Sequence, residues 1–317
     1  VARDELLDRL QNLEGHPAIS IKPDIDRETI LLRDKIDDRN QLIDYEETAQ
    51  SEEYRNNLKK INQCFIKHWP DLKIKDTEVA LLGERISESA DKYPIDLSSR
   101  TLVRIFNNGS FKEGGRFYRA WWQNVPSEYR KHITIGAKTT KEYDYSQLNP
   151  HMIYFAYNLE MGQEDAYDRV LDGEHRDVVK EAFNAMIQAA VPLTQKPRKL
   201  NIDGIDMSWP DLRQRILDSH KPIQHLFFTG IGNRLQFEDS CIAESVMLQF
   251  AKIDAPALPV HDSFIMHHGY GGELEEAMRR AFYDRFRGDI PIKEEMIEEI
   301  EAEDFDKQKD LSVDDII

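Results

Sequence analysis

The apolar residues of this chain recur at two spacings, and each spacing predicts a kind of element. Leu58, Ile61, Phe65 and Ile66 fall three and four apart, which predicts a helix over Tyr54–Trp69. The runs Asp4–Leu13 and Arg27–Ile43 also read as amphipathic, so residues 1–95 are expected to be mostly helical, punctuated by Pro70 and Pro94. Val179, Phe183, Met186, Ile187 and Ala190 give an apolar face to a helix expected from about Glu174 to Ala190. Further helices are expected over 235–250 and 273–287, and the four prolines of residues 191–230 predict a loop-rich excursion with one short helix. Tyr143, Tyr145 and Leu148 suit a pleated strand that runs into a helix, with Asn149 as N-cap and Pro150 at the first helical position. Ala257–Ile265 reads as a β-hairpin with Asp262 at or near its turn.

Charge changes this picture by its distribution. The 317 residues carry a net charge of -17, which on its face disfavours a phosphate-rich partner. Residues 294–317 hold eleven acids against two lysines, and residues 1–60 hold fifteen acids against ten bases. Residues 96–141 are the opposite, with nine Lys or Arg against three acids. That basic stretch interleaves Lys112, Arg116 and Arg119 with Phe111, Phe117, Tyr118, Trp121 and Trp122, the composition of a groove that follows a nucleic-acid strand. The plain alternative is a solvated face with at least one tryptophan packed in the core. No apolar run approaches about 18 residues, the first ten residues are too charged for a signal peptide, and the only two cysteines, Cys64 and Cys241, are too few and too far apart for a disulfide framework or a zinc site. A cytoplasmic setting is the expectation.

The candidate chemistry rests on carboxylates and cations. Asp144, at the end of the expected strand, is a ligand type for a hard cation such as magnesium, and Asp262 is a second. Arg176, Lys180, Asn184 and Gln188 are spaced four apart on one helix, a stripe that can grip a triphosphate or simply face solvent. His261, His267 and His268 also raise a His-Asp metal-dependent phosphohydrolase, but the further His and Asp ligands that it needs lack any matching spacing.

Four stretches together resemble the family A DNA polymerases, the DNA polymerase I group. Asp144-Tyr145-Ser146-Gln147-Leu148 is similar to motif A, Val260-His261-Asp262-Ser263 to motif C, and Arg176 with Lys180 to the Arg-x3-Lys core of motif B. Gln123-Asn124-Val125-Pro126 resembles the family's Gln-Asn-Ile-Pro stretch. The His-Asp-Ser form is closer to the single-subunit phage and mitochondrial RNA polymerases, which share the palm. The resemblance covers residues 100–270.

It implies an α+β fold: an antiparallel palm sheet backed by helices, with small fingers inserted at about 158–230. The expected division is a helical region 1–95 (a reduced thumb or a cap), a palm over 96–290, and an acidic tail over 291–317. It implies a template-directed DNA polymerase without a proofreading exonuclease. Asp144 and Asp262 would hold two Mg2+ ions, with Mn2+ as a substitute, and the Tyr145 carbonyl would be a backbone ligand. Arg176, Lys180, Asn184 and Asn149 would meet the nucleoside triphosphate. Arg116 or Arg119, Gln123, Asn124 and His261 would meet the primer-template. The acidic tail would suit a protein partner. The family follows its motif B Lys with an aromatic and then Tyr-Gly, where this chain has Asn184 and Gln188-Ala189. Two other functions fit the same residues: an RNA polymerase or primase using NTPs, and a polymerase-derived nucleic-acid-binding or regulatory protein.

Overall fold

The structure is a computed structural model and describes residues 27–37, 39–87, 95–162 and 164–295. In chain order the elements are β1 (Ile30–Ile36), β2 (Arg39–Ile43), α1 (Ala49–Lys67), β3 (Pro70–Leu72), α2 (Asp76–Ser87), β4 (Val103–Asn107) and β5 (Ser110–Tyr118). Then come α3 (Ser127–Arg130), β6 (Ile133–Ile135), β7 (Lys138–Tyr145), α4 (Leu148–Ala156), α5 (Arg176–Gln188) and α6 (Trp209–Ser219). The series closes with α7 (Gly232–Lys252), β8 (Leu258–Val260), β9 (Ser263–His267), α8 (Gly271–Phe286) and β10 (Ile292–Glu294). The fold is mixed, with helices around two largely antiparallel sheets. No helix among the described residues is long and apolar enough to cross a membrane.

One sheet has the order β2-β1-β4-β5, antiparallel except for the β1–β4 pair. The other has the order β3-β6-β7-β9-β8, and β10 joins it by pairing with the carboxyl-terminal half of β7. α7 is the long central helix, packed against β5, α1 and α8. Arg104 fastens the first sheet to it from a wholly buried position. Its guanidinium meets Glu244 at 3.0 Å, Ser240 Oγ at 2.9 Å and the Gly115 carbonyl at 2.8 Å. A buried charge needs this degree of pairing to offset its lost hydration.

Several expectations change. Arg27–Ile43 is a hairpin, not a helix: β1 and β2 pair antiparallel, Asp37 takes the left-handed conformation in the turn, and Ile30 and Leu32 alternate into the core. β1 and β3 are hydrogen-bonded into the two sheets through β4 and β6, so the described part of residues 1–95 is not a separate helical unit. The helix expected at Tyr54–Trp69 is α1, which begins earlier, at a capping box between Thr48 and Ser51. The run Asp4–Leu13 lies outside the described residues. The acidic tail expected over 291–317 instead opens with a strand, β10, while 296–317 lie outside the described residues. Trp121 and Trp122 are both fully buried, so neither offers a stacking surface to a nucleic acid. Trp122 Nε1 donates to the Pro259 carbonyl at 3.2 Å, fixing β8.

Candidate active site

β7 is the central strand of the second sheet, and its alternation sorts its side chains. Tyr143 and Tyr145 turn toward α8 and β10. The Tyr145 hydroxyl donates to the Met278 carbonyl at 2.7 Å, and that of Tyr143 to Glu294 at 2.9 Å. Glu142 and Asp144 share the opposite face. Asp144 stands across from Ser263 in the β7–β9 ladder, and Val260 pairs with Ser263 across the β8–β9 hairpin. His261 and Asp262 are therefore the two-residue loop, with His261 in the left-handed conformation at φ 54°. The Tyr145 N–H points at the Asp262 carbonyl, 3.4 Å away. The tip is braced from behind: the Ser263 hydroxyl bonds to Glu142 and the Val260 carbonyl, and Arg130 meets Glu142 at 2.8 Å.

β7 then turns into α4 through Ser146 and Gln147. Gln147, with φ 56°, precedes the first helical residue, Leu148. Asn149 is thus inside the first turn and is not the N-cap. Its amide instead donates to Asn184 Oδ1 on α5 at 2.9 Å. Gln147 Oε1 accepts the Ala166 N–H at 2.6 Å, tying the turn to the segment before α5.

These elements enclose a polar cleft of about 390 Å3. Asp144, Tyr145, Asn149, Arg176, Lys180, Asn184 and Asp262 all line it, so residues 118 positions apart in sequence come together in one place. Lys180 is exposed, whereas Arg176 is held by Asp165 at 2.8 Å and approached by Asp168 at 3.7 Å. Lys293 and Glu295 also line the cleft, carried in by β10, which pairs Lys293 with Asp144. Sequence reasoning missed both because they look like part of a solvated acidic run. Tyr167 was missed too: a buried aromatic before α5 has no local signature.

The expected nucleic-acid contacts do not line the cleft. Arg116 is occupied, with Nε and Nη2 each 2.8 Å from Asp239 Oδ2. Burial pushes the Asp239 carboxyl up to about 6, against the pull of Arg116. Gln123 donates to the Phe117 carbonyl at 2.9 Å. Asn124 is half-buried, and Arg119 and His261 are exposed.

The carboxylate pair fits a cation. Burial, then the charge of Asp262, pushes the Asp144 carboxyl up to about 8, while Lys180 pulls it down. Asp144 Oδ1 is shielded from solvent and has no hydrogen-bond partner. A buried acceptor without a donor, facing a second carboxylate, is relieved by a hard cation, and an all-oxygen set suits magnesium.

No protein-family model matches the sequence, and no curated protein matches it. Among solved structures, the chain is similar to the POL domain of Pol1 from M. smegmatis in complex with DNA primer-template and dNTP. That likeness has a TM-score of 0.38 at 13% identity, covers 68% of this chain and spans 50% of the other.

Proposed function

We propose that this chain is a nucleotidyltransferase of the family A polymerase type, adding nucleotides to a primer under the direction of a template. The observation that carries the reading is Asp144, with its unpartnered buried oxygen, beside Asp262 in a cleft that also holds Lys180 and Arg176. In the reaction a primer 3′-hydroxyl attacks the α-phosphorus of a nucleoside triphosphate. A P–O bond forms, the bond to the β-phosphate breaks, the hydroxyl proton passes to solvent and pyrophosphate leaves. Asp144 and Asp262 would hold two Mg2+ ions, with the Tyr145 carbonyl as a backbone ligand. When bound, such a pair lowers the pKa of the hydroxyl and stabilises the leaving oxygen. Lys180 supplies positive charge to the triphosphate at the mouth of the cleft. Arg176 serves the same anion once its ion pair with Asp165 opens or shares it. Glu142, Arg130 and Ser263 hold the hairpin tip so that Asp262 keeps its place relative to Asp144.

Deoxynucleotides are the expected substrates, from the motif A resemblance and from Asn149 beside the site of the sugar. The test is extension of an end-labelled primer on a template with and without Mg2+, for the wild type and for Asp144→Ala and Asp262→Ala. Extension by the wild type alone supports the reading, and comparable extension by both variants overturns it.

A second reading, a palm that binds nucleic acid without polymerising, is favoured by the engagement of Arg176 with Asp165 and Asp168. Retained primer-template binding with no nucleotide addition under any divalent metal would select it.

A further inference from the structure

Away from this cleft, the carboxyl-terminal ends of α1 and α7 meet. Cys64 lies in the last turn of α1 and His68 is its capping residue, one turn further on. Asp254 follows α7 in the left-handed conformation at φ 58°, with its N–H on the Ala251 carbonyl. Cys64 Sγ, a His68 ring nitrogen and an Asp254 carboxylate oxygen lie within 4.8 Å of one another.

We propose that Cys64, His68 and Asp254 form a binding site for a borderline transition-metal ion of the Zn2+ or Co2+ class. Thiolate, imidazole and carboxylate form a ligand set that such ions prefer, whereas magnesium avoids sulfur. Metal–ligand bonds of about 2.0–2.3 Å put one ion within reach of all three after side-chain shifts of about an ångström.

Two features prepare the site. His68 Nε2 is shielded and stands 3.2 Å from Asp254 Oδ1, an ion-pair approach that already brings two of the three ligand atoms together. A neutral imidazole at that place offers a lone pair, so the ring nitrogen and the carboxylate oxygen can share one cation. Lys67 bonds the other carboxylate oxygen, Oδ2, which orients the group and leaves Oδ1 to the ion. The partial negative charge at two helix carboxyl termini adds to the field that favours a cation. Binding replaces the Cys64 thiol proton, which passes to solvent. Both Cys64 and Asp254 border a cavity of about 700 Å3, also lined by Asn57, Lys60, Leu248 and Ala251. That cavity leaves room for water as a fourth ligand. The ion would pin α1 to α7, eight residues upstream of Asp262.

The full chain, stripped of metal by chelation, is titrated with Co2+ while the near-ultraviolet thiolate-to-cobalt charge-transfer absorption is followed, and the bound ion is then competed off with Zn2+. The wild type should develop the band with saturation. Cys64→Ser should lose it, and His68→Asn and Asp254→Asn should weaken binding at least tenfold. Asp254 is at the surface, so its variant keeps the test open if Cys64→Ser does not fold. The double variant Asp144→Asn/Asp262→Asn should keep the band, which separates this site from the proposed active site. No band in the wild type, a band that persists in Cys64→Ser, or unchanged affinity in His68→Asn and Asp254→Asn would overturn the proposal.

Discussion

The side-chain amide of Asn149 donates to Asn184 Oδ1 at 2.9 Å, joining the first turn of α4 to the middle of α5 across the mouth of the cleft. In the proposed function Asn149 stands five residues after the metal-binding Asp144, where a side chain can crowd the 2′-hydroxyl of a ribonucleotide. The hydrogen bond holds that side chain still, which sharpens a steric clash. Asn149→Gly should raise ribonucleotide incorporation relative to deoxynucleotide, and Asn184→Ala should do so to a smaller extent by freeing Asn149. Each change of about 1.4 kcal/mol in the clash is tenfold in the ratio. Single-nucleotide addition of matched dNTP and NTP measures it. An unchanged ratio in Asn149→Gly would reduce this residue to a tie between helices.

Lys180 is an exposed cation of the cleft, carried by α5. A charge-assisted contact to a phosphate contributes roughly 1.5–3 kcal/mol. Lys180→Ala should therefore weaken apparent triphosphate affinity roughly tenfold to a hundredfold. Steady-state nucleotide titration reads this directly, and an unaltered affinity would move the triphosphate elsewhere.

The raised carboxyl of Asp144 predicts a pH dependence of stability without metal. Its folded pKa of about 8 lies above the ordinary value of 3.8. Between those values the folded chain binds more protons than the unfolded chain, so this group lowers stability as pH rises. Asp144→Asn should therefore melt higher than the wild type at pH 8 in chelator, with the gap closing toward pH 4. Added Mg2+ should recover stability in the wild type but not in the variant. Parallel melting curves across that range would show that Asp144 titrates normally.

Trp122 is fully buried and holds β8 through the Pro259 carbonyl. Trp122→Ala should cost about 3–5 kcal/mol of stability. Chemical denaturation checks the magnitude. A loss below about 1 kcal/mol would mean that the core around the hairpin closes over the gap.

What was legible in the sequence was local. The strand–turn–helix at Asp144 and the hairpin at Asp262 carry their own patterns, alternation followed by helical spacing and a short apolar run folded about a polar pair. α5 and α8 declare themselves by an apolar face. What was not legible depends on distant partners. Ile30, Leu31 and Leu32 with Ile36 and Ile43 fit a helix as well as a strand, and the pairing of β1 with β4 decides between them. The three residues of β10 have no strand signature and become a strand because β7 has an open half-edge to fill. Asn149 looks like a cap from its neighbours, but Gln147 takes the left-handed turn and the helix starts early. The cluster of Cys64, His68 and Asp254 spans two helix ends that only tertiary packing brings together.

That half-edge has another consequence. β6 covers β7 only near Lys138 and Thr139, and further along the same edge β10 and its flanking residues take over: Glu295 donates to the Glu142 carbonyl at 2.9 Å, Lys293 pairs with Asp144, and Ser146 donates to the Pro291 carbonyl at 2.9 Å. Stripped of Ile292–Glu294, the strand that bears Asp144 would present unpaired amide and carbonyl groups, an adhesive border open to a strand from any neighbouring molecule. Trimming the acidic segment back past Ile292 would then do more than remove charge. It would turn a private seam into a sticky one, and the shortened chain should self-associate, with foreign backbone lying against the cleft where Lys293 and Glu295 now stand.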